Sequence, residues 1–412
     1  MAISRRSLLK SSMATLAVAP FISLTGRTLA AEPIKVAAIF DQSGGLDIYG
    51  LPTMQCVEQA VDDLNDQGGL LGRPVELIKY DPQSNIQYYT QFATQAATRD
   101  RVAVVFGGIT SASREAIRPI LHRYQTPYFY PSLYEGGVCD RNCFAVGTTP
   151  AQTVSRIIPY AIKNFGKKIY IIAADYNFGH ISSDWVKKYT QDAGGTVVAN
   201  DYFPLDVTEF GATIKKIQNE KPDIVYSLLV GGNHISFFRQ WAAAGMAGKI
   251  PIVSSDFGAG NENKILNPAE SEGIIAAYAY FQELDTPKNQ QFLQRMTKKF
   301  GAKTPYLNET AINGWYAVMH WANGIRAANS IERMAFIDAI EKGSSVDGPG
   351  GISLLDHQTH HCTVDIHLGK VHDGAWQVLE SYPQQTPADT AAVCNLVANP
   401  NDNKQYVIKA GA

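Results

Sequence analysis

The chain has 412 residues, of which 45% are hydrophobic, 18% charged and 10% aromatic. This composition excludes a disordered chain, a collagen-like repeat and a small disulfide scaffold, and the length allows two or three domains. The 36 Lys and Arg residues nearly balance the 38 Asp and Glu residues and are scattered, so the sequence offers no basic surface for nucleic acid or anionic lipid.

Residues 1–31 are typical of an export signal rather than of a folded domain. Arg5, Arg6 and Lys10 precede a short apolar stretch, and small residues that a signal peptidase accepts end at Ala31. The stretch is short for a membrane span of about 20 residues, which argues against an uncleaved anchor. The paired arginines resemble a twin-arginine signal, so we expect export to the periplasm.

From Pro33 onward, short apolar runs alternate with segments of helical periodicity. The first unit predicts strands at 34–40, 75–80 and 102–106 and helices at 53–65 and 86–98. The second unit predicts helices at 152–164, 180–193, 208–219 and 233–244 and strands at 168–173, 196–203, 224–229 and 250–254. Apolar strands between helices are typical of parallel sheets covered on both faces, so we predict two doubly wound, Rossmann-like α/β lobes.

Beyond Gly273 the pattern changes, and its elements can attach to either lobe. A strand is expected at 274–281, followed by helices at 288–300, 309–328 and 331–342. Residues 351–380 alternate like strands between Gly-containing turns, which predicts an antiparallel addition to one of the sheets.

Export makes the five cysteines informative, because an oxidising compartment permits disulfide bonds. Cys139 and Cys143 flank a short polar loop and could close a small ring, while Cys362 and Cys394 could pair and fix the tail. Cys56 lies in a helical pattern and is expected to be a small buried hydrophobe. No CxxC pair supports a zinc site.

Five of the nine histidines cluster in the predicted antiparallel region: His357, His360, His361, His367 and His372. His360 and His361 are adjacent, and neighbouring residues of a strand point to opposite faces. The pair therefore cannot easily share one ion, and we predict no metal site and no cofactor.

Polar and small residues follow several predicted strands at the edge where α/β proteins bind ligands. Residues 107–113 after the third strand are rich in Gly, Ser and Thr, although each hydroxyl could instead cap the next helix. Tyr128, Tyr130 and Tyr134 lie within seven residues broken by Pro131, so we expect that they cannot all face one core. A packed turn is the alternative to a ligand wall made of their rings.

With these motifs the chain resembles, over nearly its whole mature length, the type I periplasmic solute-binding proteins of ABC importers. The run Gly-Gly-Leu-Leu-Gly-Arg-Pro-Val-Glu-Leu at 68–77 marks the superfamily, and Tyr-Pro-Ser-Leu-Tyr-Glu-Gly at 130–136 is more specific. Together with Asp175-Tyr176 and the His360-His361 pair, it is most similar to the branch that binds urea and short-chain amides, with the amide sensor of amidase operons. Branched-chain amino-acid binders are more distant.

The resemblance implies two lobes joined by a multi-segment hinge, the first formed by 32–150 and 277–347 and the second by 151–276 and 348–412. It implies a monomeric periplasmic protein that captures urea or a short-chain amide by hinge closure. The captured solute would be delivered to an ABC permease in the inner membrane, without a catalytic step.

The resemblance and the strand-end turns together give one set of predicted ligand-binding residues: Ser111, Tyr130, Ser132, Tyr176, Asp256, Gln42 and Gly231. Ser111 and Ser132 would donate hydrogen bonds to a ligand carbonyl, and Tyr130 and Tyr176 would wall the pocket. Asp256 falls near the strand end where amino-acid binders place a carboxylate for the ligand ammonium.

Two alternatives remain at this point. The first is a binding protein of the same fold for an amino acid or another nitrogenous solute, with Asp256 holding a cation. The second is an exported amide hydrolase, which would need a nucleophile with a base. Ser111 has no His or Lys nearby in sequence, and the chain lacks the GxSxG, HExxH and Walker motifs.

Overall fold

The computed structural model describes residues 32–407, so the predicted export signal at 1–31 lies outside the described residues. The strands β1 to β16 are, in chain order, Ile34–Ile39, Val75–Tyr80, Val105–Gly107, Tyr128–Tyr130, Val138–Asp140, Cys143–Ala145, Lys168–Ala174, Thr196–Phe203, Ile224–Leu228, Ile252–Ser254, Ile275–Tyr278, Ser344–Gly348, Gly351–Leu355, Cys362–His372, Ala375–Gln385 and Asn403–Gln405. Most predicted strands are present, with ends shifted by a few residues.

Helices separate most of these strands. The helices α1 to α13 are, in chain order, Asp47–Asp66, Ile86–Gln95, Ser111–Arg123, Val154–Phe165, Asn177–Asp192, Gly211–Glu220, Gly232–Ala243, Glu262–Ile265, Pro268–Ser271, Pro287–Phe300, Glu309–Ala328, Arg333–Ile340 and Ala388–Ala391. A π-helical turn, Ala96–Asp100, follows α2. None of the helices within 32–407 combines the length and the hydropathy that a bilayer crossing requires.

The first lobe is built on a five-stranded sheet of order β2-β1-β3-β4-β6, and all its pairings are parallel. β1 is apolar except at the exposed Lys35, and its packing shows why. Val36 and Ala38 pack into one core cluster, whereas Ala37 and Ile39 pack into another on the opposite face. Helices therefore cover both sides of the sheet, as the sequence pattern predicts.

The second lobe is built on a nine-stranded mixed sheet. Its parallel part has the order β11-β10-β9-β7-β8. β14 continues it in the antiparallel sense beside β11 and also pairs with β13 and with β15. The antiparallel addition predicted for 351–380 is thus part of this sheet, and it includes β12, which begins at Ser344.

The chain crosses between the lobes more than once. One crossing follows β6 and another follows β11, and the buried carboxylate of Glu309 at the start of α11 joins them. Its Oε1 accepts from Thr148 Oγ1 at 2.7 Å, and its Oε2 accepts from the Ala279 N–H at 2.7 Å. A segmented connection of this kind suits a hinge between the lobes.

The C-terminal tail returns to the first lobe. β16 pairs antiparallel with β5, and a disulfide joins Cys139 to Cys394. The expected pairs Cys139–Cys143 and Cys362–Cys394 are therefore wrong, since Cys143 and Cys362 are free and buried. Cys56 is also free and buried, as predicted. The final residues of the predicted second lobe therefore contact the first lobe, where β16 is the partner strand of β5.

Candidate functional site

Residues that follow β3 and β4 of the first lobe and β7, β9 and β10 of the second lobe line one cleft. The space in this cleft not occupied by protein atoms is about 350 Å³, open solvent included, of which about 20 Å³ admits the centre of a water-sized molecule. Its lining residues are Tyr49, Ile109, Thr110, Ser111, Ser132, Leu133, Tyr176, Phe178, Val230, Asp256, Ala259 and Thr310.

The structure brings together four of the seven predicted ligand-binding residues and leaves three outside the lining. The four that line the cleft are Ser111, Ser132, Tyr176 and Asp256. The three that do not are Tyr130, Gln42 and Gly231. Each of them forms a hydrogen bond with another residue of the protein.

Ser111 begins α3, directly after the N-cap residue Thr110. Its hydroxyl donates to Oε2 of Glu135, a fully buried carboxylate that forms an ion pair with Arg114 at 2.9 Å. An ionised carboxylate carries no hydrogen, so Ser111 supplies the hydrogen of this bond. The hydrogen that the sequence prediction assigned to a ligand carbonyl is already committed to Glu135, and only lone pairs of Ser111 remain for a solute.

Ser132 is committed in the same way. Its hydroxyl donates to the Gly108 carbonyl oxygen at 3.1 Å, and a carbonyl can only accept. Gly108 has a φ of +85°, and a Cβ at this position would lie 2.8 Å from the Tyr128 hydroxyl oxygen. Only glycine fits this approach, which brings the backbone of the first wall close to the aromatic layer behind it.

Tyr130 supports the first wall from behind. It belongs to β4 and is fully buried with Tyr128 and Tyr134 in one core cluster. Its hydroxyl donates to the carbonyl oxygen of Ile109, a lining residue, at 2.9 Å. The expectation that the three tyrosines cannot share a core is wrong, because Tyr128 and Tyr130 stand two apart in a strand and so face the same side.

Asp256 gives the second wall its charge, and it is the one charged side chain that lines the cleft. It is buried, and its Oδ2 has no hydrogen-bond partner among residues 32–407. Burial, reinforced by the nearby carboxylate of Glu262, raises the pKa of Asp256 well above its ordinary value. A cationic group in the cleft would restore the ionised form by supplying the missing partner.

Tyr49 is a lining residue that the sequence analysis missed. It lies on α1 of the first lobe, yet its hydroxyl donates to Glu262 Oε1 at 3.2 Å and accepts from the Gly231 N–H at 2.8 Å. The Tyr49 hydroxyl therefore links the first lobe to two groups of the second lobe. The backbone N–H of Gly231 binds this hydroxyl, and Gly231 does not line the cleft. The sequence did contain a signal for Tyr49. It follows β1, so it lies at the same edge of the sheet as the turns that were predicted to bind the ligand.

Gln42 organises the loop after β1. Its backbone N–H donates to Asp81 Oδ1 at 2.9 Å, and the hydroxyl of Ser43 donates to Asp81 Oδ2 at 2.7 Å. Asp81 follows β2, so it fixes the turn between two neighbouring strand ends. The predicted ligand contact of Gln42 is absent from the lining of the cleft.

The histidine pair lies at the junction of the two sheets. His361 bridges to Ala145 of β6 and contacts the Tyr134 hydroxyl, while His360 stacks on Phe144 with ring centroids 4.4 Å apart. His360 Nε2 also lies 3.0 Å from Glu341 Oε1. Within the described part of the chain, no three His, Cys, Asp or Glu side chains are placed to hold a metal ion together.

Comparisons with known proteins agree with this architecture. A family model described as Periplasmic binding protein matches residues 33–375. The Leu/Ile/Val-binding protein homolog 6 of Brucella melitensis is 23% identical over 380 residues, which span 88% of this chain and 93% of that relative. Homolog 7 of Brucella suis is 24% identical over 353 residues, or 79% of this chain and 86% of the relative.

Solved structures show the same fold. An amino acid ABC transporter substrate-binding protein from Pseudomonas fluorescens Pf-5 superimposes with a TM-score of 0.79 at 20% identity. The superposition covers 89% of this chain and 100% of that protein. A solute-binding protein of an R. palustris ABC transporter, in complex with benzoate, gives a TM-score of 0.77 at 23% identity, with 86% and 97% covered.

Two α/β lobes with a polar cleft between their strand ends define a solute-binding protein. Because the family model spans most of the described residues, the chain belongs to the periplasmic binding protein family. The family is periplasmic or extracytoplasmic, and its matched members bind solutes rather than catalyse reactions. Substrate-binding proteins of ABC importers bind small solutes and deliver them to the permease.

These findings confirm the predicted fold and the binding role, and the hydrolase alternative finds no support in them. They do not show the expected urea and amide branch. The relatives carry Leu/Ile/Val-binding names, and the solved neighbours include an amino-acid transporter protein and a benzoate complex. None of these names concerns urea or a short-chain amide, and the amino-acid alternative stands closer to them.

Proposed function

We propose that this protein is the solute-binding component of an ABC importer and captures an amino acid, or another nitrogenous solute, by a cationic amino group held at Asp256. The observation that carries the proposal is the buried Asp256 carboxylate, whose Oδ2 has no partner among the described residues. A buried carboxylate without a partner is costly, so a cation that reaches it gains more there than at the surface.

The remaining lining suits the rest of such a molecule. The first turn of α3 leaves backbone N–H groups without intrahelical partners and carries partial positive charge, which favours a carboxylate at those N–H groups. Ile109, Leu133, Phe178 and Val230 supply apolar surface for a side chain. An aromatic acid without an amino group would leave Asp256 unpaired, so the benzoate neighbour is the weaker guide to this cleft.

Closure of the two lobes around the solute would produce the state that a permease recognises. In the proposed division, 32–150 and 277–347 form the first lobe, and 151–276 with the start of 348–412 form the second. The tail from α13 onward belongs with the first lobe, to which β16 and the disulfide attach it. Residues 1–31 would direct export through a twin-arginine-type signal.

A calorimetric panel tests the proposal on the mature protein. L-leucine, L-glutamate, putrescine, benzoate and urea are titrated separately, and melting temperatures are measured in parallel, because a ligand of the native state stabilises it. Binding of at least one compound with a cationic amino group, lost in Asp256→Asn, is expected. Binding of benzoate or urea alone would contradict the proposed role of Asp256.

A further inference from the structure

A chain of hydrogen-bonded groups connects the cleft to β16, the last strand of the described residues. Ser111 donates to Glu135, and Arg114 Nη2 donates to Glu135 Oε1 at 2.9 Å. The same Arg114 nitrogen donates to Gln405 Oε1 at 2.6 Å, while Gln405 Nε2 donates to the Gly136 carbonyl at 2.8 Å. Glu135 does not line the cleft, and Ser111 is the lining residue to which it is hydrogen-bonded.

The two oxygens of Glu135 have different partners. Oε1 faces Arg114, whose guanidinium can only donate hydrogen bonds, and Oε2 faces Ser111. Arg114 is itself fully buried and lies over the ring of Tyr134, with its guanidinium carbon 4.6 Å from the centroid. Because both carboxylate oxygens of Glu135 can only accept, the Ser111 hydroxyl is the donor of its hydrogen bond to Oε2.

We propose that Glu135 is a specificity-determining residue: it holds Ser111 as a hydrogen-bond acceptor and thereby selects solutes that present an N–H group to this hydroxyl. The proposal rests on the proposed function, since it takes the cleft as the ligand site. Glu135 is a positioning residue in this scheme. It makes the Ser111 hydroxyl an acceptor, like the open carboxylate of Asp256 on the second wall.

The variant Glu135→Gln is expected to reverse the hydrogen bond. Arg114 donates toward Oε1, so the amide oxygen of the new side chain will face Arg114 and its NH₂ group will face Ser111. The amide then donates to Ser111, and the hydroxyl hydrogen of Ser111 turns toward the cleft. Ser111 becomes a donor, which favours a carbonyl over an ammonium group at the same position.

The experiment compares two probes, L-leucine and 4-methyl-2-oxopentanoate, which replaces the ammonium group with a carbonyl. Isothermal titration of the mature protein gives the ratio of the two affinities. We expect Glu135→Gln to lower the preference for L-leucine about tenfold, because one charge-assisted hydrogen bond is lost. In a Ser111→Ala background the same change should leave the ratio constant, because the transmitting hydroxyl is gone.

Asp389→Asn is the matched control. Asp389 is another buried carboxylate that accepts from a hydroxyl, that of Thr149 at 2.8 Å, but it does not line the cleft. A purely structural loss there should weaken both probes equally. A ratio that is unchanged in Glu135→Gln, or that falls equally in Asp389→Asn, would overturn the role of Glu135.

A second variant keeps the proposal testable if Glu135→Gln does not fold. Ser111→Ala removes an acceptor under this proposal, so it should weaken L-leucine more than the oxo acid. The opposite order would show that Ser111 donates, and the proposal would fail. A wild-type protein that binds neither L-leucine nor any other amine would instead refute the proposed function itself.

Discussion

The two walls of the cleft differ in how their polar groups are satisfied. On the first wall, Ser111 and Ser132 donate to Glu135 and to the Gly108 carbonyl, so both hydroxyl hydrogens are used inside the protein. On the second wall, Asp256 keeps a buried oxygen without a partner in the described chain. Both serine hydroxyl hydrogens of the first wall are thus used without a solute, whereas the Asp256 oxygen of the second wall is not paired.

This difference separates selectivity from affinity. The serine hydroxyls of the first wall already have hydrogen-bond partners, so their arrangement changes little when a solute binds. They therefore discriminate between solutes by the donor or acceptor groups that each solute presents. An unsatisfied buried carboxylate gains its missing partner on binding, and that gain contributes directly to affinity. We therefore expect the selectivity of the first wall to depend on residues behind it, and the affinity contributed by the second wall to depend on Asp256.

Removing the disulfide tests the remote support of the first wall and should have the largest effect. Cys139→Ser/Cys394→Ser frees a tail fastened across 255 residues of sequence, which should lower the free energy of unfolding by about 2–4 kcal/mol. Denaturant melts of the variant and of Cys362→Ala, which keeps the disulfide, provide the measurement. Equal midpoints for the double variant and wild type would show that the tail does not stabilise the first lobe.

Asp256→Asn tests the charge of the second wall. The amide cannot pair with an ammonium group as a carboxylate does, so the affinity for an amino acid should fall about 100-fold, or about 2.8 kcal/mol. The ligand-free variant should melt at a higher temperature than wild type at neutral pH, because a desolvated charge is removed. Calorimetry and thermal melts check both results, and a ligand-free protein that is less stable would contradict the unpaired state.

Tyr49→Phe removes the hydroxyl that joins the walls. The Gly231 N–H loses its acceptor and Glu262 loses one donor, so the closed form should be weakened and affinity should fall about tenfold. Binding calorimetry with scattering measurements of lobe closure tests this. Unchanged affinity would mean that this bond forms equally in the open and closed proteins.

The pH dependence of stability should contain two opposed contributions. Burial lowers the pKa of His320 to about 3 and that of His361 to about 4, so stability present above their unfolded value of about 6.5 is lost as the pH falls toward those values. Asp256 acts oppositely, because its raised pKa makes the ligand-free fold most stable below about pH 3.9 and less stable as pH rises.

Melts of wild type and Asp256→Asn between about pH 4 and about pH 8 separate these contributions. The variant should keep the acid loss due to the histidines and should lack the part of the alkaline-side loss that Asp256 contributes. L-leucine affinity of the wild type should also fall toward acid pH, as Asp256 becomes protonated. A pH-independent affinity would argue against an ionised Asp256 in the complex.

Local pattern predicted much of the fold because the strands are buried on both faces. β1 is apolar except at the exposed Lys35 since its two faces serve two cores, and the helices between such strands carry clear periodicity. The helix predicted at 53–65 begins earlier, at Asp47, and Pro52 lies inside it. The tail was also missed, since pairing between β16 and β5 leaves no local signal.

The cleft was predicted where residues directly follow strands, as for Ser111, Ser132, Tyr176 and Asp256. It was missed where a contact spans the chain, as for Tyr49, whose partner Glu262 is 213 residues away. Tyr130 was misplaced because its run was interpreted as a loop although it is β4. Hydrogen-bond direction could not be predicted either, because Glu135 and Ser111 stand 24 residues apart.

The bond between Cys139 and Cys394 closes a covalent ring that contains the entire second sheet. A protease that cuts one exposed loop anywhere inside this ring would leave two polypeptides still linked through sulfur. On a denaturing gel the nicked material would migrate as a single species until a reductant released the fragments. Damage in an oxidising compartment therefore need not disperse the halves of the molecule.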